Sequence, residues 1–400
     1  MTTSIIIVFC ILIIIAYIFD ITSSDTKIPS VILLLLLGWL VQQLTDFMDI
    51  TVPNLDSILP LLGTVGLIMI VLEGTLELDI NLQKLSTLAR AFFSASISLI
   101  LFSFILAYFF HFVSGYSFKL CLINAIPLSV ISSSIAIPSA RNLGIEIREF
   151  VTYESSLSDI VGVILFNFFA LNEVVDFSAV LHFGEEFIYI ILLSFAATAA
   201  LAFLLSKIQH HVKFAPIIFL IILIYTVAKH FHLPALIFVL VLGLFLGNFD
   251  IAGENRFIKL LKPEILKKEV HKFKELVTEA TFLVRSIFFI LFGFSMKTSE
   301  ILDTNTLGWA AGIVSLIFAI RAIQLYVTKM DMLPYLFIAP RGLITILLFL
   351  AIPSTYLMPL MSISLVIQIV IFTALFMMLG MIFKKEKRSG RGHSFIKLIK

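Results

Sequence analysis

Two carboxylates, Glu154 and Asp159, are hard to explain as packing residues, because both lie in one apolar run of the sequence. An ionisable side chain at the centre of a membrane helix costs about 2.5–3.5 kcal/mol on insertion scales, and such residues usually mark ion or proton pathways. Carboxylate oxygens take up protons and are also ligands for hard cations. The pair therefore predicts an ion or proton site.

Helical geometry separates the two carboxylates. At 3.6 residues per turn, Asp159 shares a face with Ser155, and Glu154 shares a face with Ser158, whereas the carboxylates themselves are about 140° apart. They must therefore contact different neighbours. One can be held by an arginine while the other faces a cavity.

The composition places this helix in a membrane. Hydrophobic residues make up 60% of the 400-residue chain, against about 45–50% in ordinary soluble domains. Charged residues make up only 14%, too few to cover a soluble fold of this size. The sequence predicts an all-α membrane protein. It carries no nucleophile–base pair, metal-ligand spacing or phosphate loop, so we expect neither an enzyme nor a cofactor, and no nucleic-acid partner.

The apolar runs predict thirteen membrane spans, each near the length of about 20 residues that crosses a hydrocarbon core. The spans are residues 4–20, 28–46, 57–78, 88–114, 117–139, 148–171, 187–206, 215–231, 233–249, 278–297, 307–328, 333–352 and 360–383.

Basic residues give the expected orientation, since cytoplasmic loops collect Lys and Arg. An outside N-terminus puts most of the 28 basic residues, including a short tail at 385–400, in the cytoplasm of a cell that carries the protein in its plasma membrane. The basic loop 250–277 is also cytoplasmic in this scheme. Its amphipathic pattern suits either a helix on the lipid surface or a linker between two bundles.

Two spans are interrupted by proline, at Pro127 and Pro138 in span 5 and at Pro340 in span 12. Freed backbone groups are tolerated at membrane depth only where they are buried or line a cavity. The two spans are seven apart, which predicts two inverted six-span repeats, residues 1–186 and 207–384, joined by a linker helix at 187–206. Paired interrupted helices of this kind point to a transporter's substrate site.

Six charges lie inside the predicted spans, and some of them must be structural partners of one another. They are Glu73, Glu154, Asp159, Arg285, Arg321 and Arg341. The sequence alone leaves their pairing open.

Several segments resemble the monovalent cation/proton antiporters, the sodium/proton exchanger superfamily. Residues 153–159 are similar to the family motif Gly-Glu-Ser-Leu-Leu-Asn-Asp, and residues 339–342 are similar to Gly-Leu-Arg-Gly. Segments 72–79 and 288–295, together with Arg321, follow in family order. The resemblance covers spans 2–13. It implies crossed, interrupted helices in a core domain, a separate dimerisation domain and a homodimer.

The resemblance also implies roles for individual residues. The cation site would consist of Asp159, Ser155, Glu73, Ser133 and Ser134. Asp159 would carry either the alkali cation or the proton, so that competition for one carboxylate couples the two ions. The unwound stretch around the serines of span 5 would add backbone and hydroxyl oxygens.

Two further roles concern charge balance. The resemblance makes Glu154 and Arg341 a structural ion pair and places Arg321 so that it faces the site. Ser158 stands where relatives carry Asn, or Asp in electrogenic members. One ionisable carrier predicts one-for-one, electroneutral exchange of sodium or lithium for protons by alternating access. The alternatives are a potassium/proton antiporter of the same fold and a transport-inactive membrane sensor or scaffold.

Overall fold

The computed structural model describes residues 2–26, 28–50, 58–78, 84–141, 143–172, 177–208, 210, 212–231, 233–249 and 263–383. The described part is built from fifteen helices and their connections. The helices are α1 (Thr2–Thr26), α2 (Ser30–Phe47), α3 (Leu59–Glu77), α4 (Leu85–Ser114), α5 (Phe118–Ser129), α6 (Ser133–Ala140), α7 (Ile145–Leu171), α8 (Phe177–Lys207), α9 (Phe214–His230), α10 (Leu236–Asn248), α11 (Pro263–Ser295), α12 (Thr298–Ile301), α13 (Thr304–Val327), α14 (Leu343–Leu350) and α15 (Ile363–Phe383).

The all-α membrane fold is confirmed. Nine helices of the described part are long and apolar enough to cross a membrane, with α5 and α6 taken as one span, and α9 and α10 are shorter apolar helices. Each of the thirteen predicted spans coincides with one or more of the helices in the described part. The polar helix α7 is among them, and it carries both carboxylates of the opening motif.

The helices form two groups. One group, the core bundle, consists of α4–α7 and α13–α15, and its members pack mainly on one another. The other group, the helix panel, consists of α1–α3 and α8–α11. The core bundle consists of the last three spans of each predicted repeat. Helices α3 and α14 lie where the two groups meet.

Close backbone contact holds the panel together. A Cβ on Gly38 of α2 would lie 2.1 Å from the Ile290 carbonyl oxygen, and one on Gly293 of α11 would lie 2.3 Å from the Leu35 carbonyl oxygen. Lipid supplies no hydrophobic driving force between helices, so small residues that let backbones approach drive association. These two glycines therefore fix the α2–α11 contact.

The segment predicted as a basic cytoplasmic loop differs from expectation. Residues 263–277 are the first half of α11, which continues without interruption into the predicted tenth span; residues 250–262 and the tail 385–400 lie outside the described residues. Leu266, Phe273 and Val277 are fully buried. The amphipathic pattern therefore arises because one face of this helix packs on protein. The linker helix α8 also begins earlier than predicted, at Phe177.

Candidate ion site

The two interrupted segments cross and hydrogen-bond to each other. The chain is not helical at residues 130–132, between α5 and α6, nor at residues 338–342, before α14. The Ser132 backbone N–H donates to the Pro340 carbonyl oxygen at 2.9 Å. The Arg341 Nε donates to the Leu128 carbonyl oxygen at 2.6 Å. The Ser132 N–H and the Leu128 carbonyl oxygen, four residues apart and separated by the break, thus find partners within the crossing, as burial in a membrane requires.

Asp159 lies against this crossing and is 1% exposed. The Ser133 hydroxyl, on the first residue of α6, donates to Asp159 Oδ2. Among the described residues, Oδ1 has no hydrogen-bond partner. The N-terminus of α6 also carries a partial positive charge that favours an anion. The carboxylate therefore has one oxygen held by the broken helix and one left for a ligand.

Ser158 explains how α7 is fixed to the break. Its hydroxyl accepts a hydrogen bond from the Ile131 backbone N–H at 3.0 Å. Ile131 lies in the unwound segment, where its N–H has lost a helical acceptor. The serine that departs from the resembled motif therefore holds the unwound backbone, one residue before the carboxylate.

The other predicted ligands are placed differently. Ser155 is buried beside Asp159 on α7, but its hydroxyl donates to the Val151 carbonyl oxygen of the same helix at 2.7 Å. Ser134 shares a hydrogen bond of 2.9 Å with Ser132. Glu73 of α3 lies on the wall of a cavity that Thr278 also lines. The structure thus brings Ser133 directly to Asp159, while Ser134 and Glu73 line a neighbouring cavity.

Two cavities lie between the core bundle and the helix panel. The first has a volume of about 570 Å³, and the second about 480 Å³. The first is lined by charged and polar side chains, namely Glu73, Glu77, Lys84, Ser133, Ser134, Arg141, Arg148, Glu149, Thr152, Tyr153, Lys274, Thr278 and Arg285, with Ile70, Gly74, Ile137 and Pro138. The second is mainly apolar.

The carboxylate lies on the helix face that connects the two cavities. Thr152 lines the first cavity, and Val163 and Phe166 line the second. These residues are seven before, four after and seven after Asp159, so all four share one face of α7. Asp159 is therefore between the two cavities along this face.

Glu154 pairs with Arg321 instead of Arg341, which corrects the predicted structural pair. Arg321 Nη2 lies 2.6 Å from Glu154 Oε2, and Nη1 contacts Oε1, which also accepts from the Ser94 hydroxyl. Gln324 hydrogen-bonds to both Arg321 and Ser94. Since Glu154 points away from the Asp159 face, it meets α13 and α4. In contrast to the prediction, Arg321 therefore binds Glu154 and does not face the cation site.

Arg341 satisfies backbone carbonyls in place of a carboxylate. In addition to Leu128, it donates to its own segment at the Ala339 carbonyl oxygen, 3.0 Å from Nη1. Its guanidinium also lies over the Phe102 ring, with Cζ 5.8 Å from the centroid. The unwound segment is rich in free acceptors, and a planar guanidinium can bind several of them at once.

A third arginine pairs with a residue that the sequence did not single out. Asp20, near the end of α1, lies 3.4 Å from Arg285 and 3.5 Å from Arg141, oxygen to nitrogen. Arg285 belongs to the panel, whereas Arg141 follows α6 in the core bundle. Asp20 therefore connects the two groups of helices beside the first cavity.

Comparisons with known proteins identify the family and the fold. A family model described as "Sodium/hydrogen exchanger, transmembrane" matches residues 9–385. Two solved structures of the sodium proton antiporter MjNhaP1 from Methanocaldococcus jannaschii are similar to this fold. One, at pH 8, has a TM-score of 0.61 and 19% identity and covers 96% of each chain. The other, an electron-microscopy map, has a TM-score of 0.66 and 18% identity and covers 96% of this chain and 95% of that chain. No curated protein matches the sequence.

Proposed function

Because the chain belongs to the sodium/hydrogen exchanger family, a family of transporters, we propose that it exchanges sodium for protons across the membrane, with Asp159 as the carrier of both ions. Lithium would be accepted by the same oxygen ligands. The observation that carries the proposal is the state of Asp159: a buried carboxylate with one oxygen free of partners in the described part of the chain.

Competition for this carboxylate would couple the two ions. A cation needs oxygen ligands, and Asp159 Oδ1, the Ser133 hydroxyl and the carbonyls of the crossing are candidates. A proton would neutralise the same carboxylate and expel the cation. Ser155 would contribute a lone pair to the cation, while its hydroxyl continues to donate its hydrogen bond to the Val151 carbonyl oxygen. Glu73 and Ser134, on the wall of the first cavity, would guide the ion to the site.

The two cavities support alternating access. Movement of the core bundle against the panel would expose Asp159 to the first cavity and then to the second, because the carboxylate lies on the face that joins them. Lys84, Arg141, Arg148 and Lys274 line the first cavity and support a cytoplasmic location for it by the positive-inside rule. The N-terminus would then be outside and the C-terminus inside, in a plasma membrane. The panel would form the homodimer interface.

Charge balance favours one-for-one exchange. Glu154 is neutralised by Arg321, and Ser158 brings no charge. Asp159 is then the one carboxylate at the crossing within the described residues. Exchange in which this residue alternates between one cation and one proton is electroneutral, so its rate should not respond to an imposed membrane potential.

Potassium is the second candidate for the cation. The last residue of the break and the first two residues of α6 are a run of three serines, 132–134, whose hydroxyl and backbone oxygens could hold a larger ion. A profile of sodium, lithium and potassium in the same exchange assay separates the candidates.

Everted vesicles with a pH-sensitive dye provide the test. Alkali-ion addition should dissipate the pH gradient in the wild type, and Asp159→Asn should abolish the response without changing protein yield. Asp46→Asn is the matched control, since this exposed aspartate at the end of α2 lines neither cavity described above. Normal exchange by Asp159→Asn would overturn the carrier assignment. No response to any alkali ion by folded wild-type protein would favour the transport-inactive sensor or scaffold.

A further inference from the structure

Ser156 is a second residue of α7 with a buried oxygen that has no partner among the described residues. Its side chain is in a residue only 5% exposed, and its hydroxyl has no hydrogen bond to the residues that the structure describes. A buried polar atom is unfavourable unless it is hydrogen-bonded or coordinates an ion. The resembled motif Gly-Glu-Ser-Leu-Leu-Asn-Asp has Leu at this position, so the hydroxyl is a feature of this chain.

The hydroxyl lies beside the carboxylate and faces the panel. Ser156 precedes Asp159 by three residues, which puts both on neighbouring positions of one helix face. Ser158, which binds the unwound segment, is on the opposite side of Asp159. The Ser156 Oγ is 3.1 Å from the position that a Cβ would take on Gly74 of α3. Gly74 lines the first cavity next to Glu73.

In the described part of the chain, two buried oxygens without partners therefore occur within one helical turn of α7: Asp159 Oδ1 and Ser156 Oγ. A hydroxyl has two lone pairs and one proton. It can offer a lone pair to a hard cation, or accept from a protonated carboxyl group. Ser155, by comparison, already donates to the Val151 carbonyl oxygen.

We propose that the Ser156 hydroxyl is a ligand of the cation that binds at Asp159. The inference rests on the proposed function and adds one oxygen to the site. Gly74 permits it, because a side chain there would press on the hydroxyl.

The test is a pair of substitutions assayed for exchange in proteoliposomes. Ser156→Ala removes the hydroxyl, and Ser156→Cys keeps a side chain of similar size but replaces a hard oxygen with a soft sulfur. Each should raise the KM for sodium and lithium about tenfold, equivalent to one lost contact of about 1.4 kcal/mol, and leave the maximal rate within about twofold of wild type.

Ser286→Ala is the matched control. Ser286 of α11 is fully buried and its hydroxyl is also unpartnered among the described residues, but it lines neither cavity. Its substitution should leave KM unchanged. An equal rise in KM in Ser286→Ala would overturn the ligand role, because loss of packing alone would then explain the effect.

The remaining outcomes separate this inference from the proposed function. Wild-type KM in a folded Ser156 variant, together with loss of exchange in Asp159→Asn, would reject Ser156 as a ligand and leave the carrier in place. Normal exchange in Asp159→Asn would reject both. If Ser156→Ala does not give monodisperse protein in size-exclusion chromatography, the KM of Ser156→Cys decides.

Discussion

Glu154 and Asp159 lie five residues apart on α7, yet the partners of the two carboxylates differ. Glu154 has a bidentate arginine and a serine hydroxyl, all buried. Asp159 has one hydroxyl and the N-terminus of α6. A fully satisfied ion pair is poorly suited to exchange its ligands, whereas a carboxylate with a free oxygen can bind and release one. The first residue thus holds helices together, whereas the second keeps one oxygen without a partner among the described residues.

Replacing one partner of the Glu154–Arg321 pair should destabilise the protein more than replacing both partners. Glu154→Gln leaves a buried guanidinium without its counter-ion, a defect that typically costs about 3–5 kcal/mol. We expect a clear fall in the melting temperature in detergent, measured by intrinsic fluorescence. The double variant Glu154→Gln/Arg321→Gln should recover part of the loss. A double variant less stable than both single variants would contradict this reading.

The part of the site that lies in the motif at residues 153–159 could be predicted from the sequence. Asp159 and its contact with the serine run follow from the apolar helix and the proline break. The partner of Glu154 was not predictable, because Arg321 and Arg341 are both single arginines within spans and the sequence gives no side-chain direction. The lack of a hydrogen-bond partner for the Ser156 hydroxyl among the described residues could not be predicted either. Only the structure shows which serine hydroxyls hydrogen-bond to a carbonyl of their own helix.

At the scale of the helix, the crossing places opposite charges at opposite helix ends. The N-terminus of α6 faces the Asp159 carboxylate, and Arg341 binds a carbonyl in the last turn of α5. Helix C-termini attract cations and N-termini attract anions. Arg341 therefore stabilises the C-terminal end of the first half-helix, and Asp159 lies at the start of the second. The prolines in the sequence indicated the helix breaks, but the role of Arg341 follows only from the contact between the two interrupted segments.

Arg341→Lys should reveal this role, because lysine keeps the charge but loses the planar fork. One ammonium cannot replace the guanidinium's bonds to both the Leu128 and the Ala339 carbonyl oxygens. Each buried acceptor left unsatisfied costs about 1–3 kcal/mol. We expect a lower melting temperature and a lower maximal rate of exchange. Wild-type stability in this variant would show that charge alone is sufficient at the crossing.

The start of α11 is a helix boundary that the hydropathy pattern of the sequence did not predict. Charges in residues 263–277 lower the hydropathy below that of a span, so the pattern favoured a loop. The structure uses these charges on the exposed face and in ion pairs, such as Lys213 with Glu269 at 2.7 Å. The buried stripe of Leu266, Phe273 and Val277 continues the helix past the predicted boundary.

On the scale of the whole molecule, one ion pair joins the two groups of helices that the proposed mechanism would move relative to each other. Arg141 belongs to the core bundle, and its partner Asp20 belongs to the panel, where Arg285 also holds it. Movement of the bundle would break the Asp20–Arg141 contact and leave the Asp20–Arg285 contact in place. The pair therefore favours the arrangement seen here. Nothing in the sequence linked residue 20 to residue 141, because their contact depends on how α1 packs beside α6.

Asp20→Asn should shift the balance between the two arrangements by a small factor. The Arg141 side chain is 49% exposed, and ion pairs of such exposure contribute about 0.2–1 kcal/mol, or at most about fivefold in an equilibrium. Single cysteines at Thr152 in the first cavity and Asn167 in the second, in a Cys10→Ser/Cys121→Ala background, would report access. The ratio of the rates at which a soluble maleimide labels Thr152→Cys and Asn167→Cys should change by at most about fivefold when Asp20 is replaced.

The control for this shift is an ion pair within one group of helices. Lys84 and Glu149 also line the first cavity, 2.9 Å apart, but both belong to the core bundle and move together. Lys84→Gln should therefore change the charge of the cavity without changing the ratio of the two labelling rates. If Lys84→Gln shifts the ratio as much as Asp20→Asn does, the effect comes from cavity charge, and the Asp20–Arg141 contact does not hold the bundle to the panel.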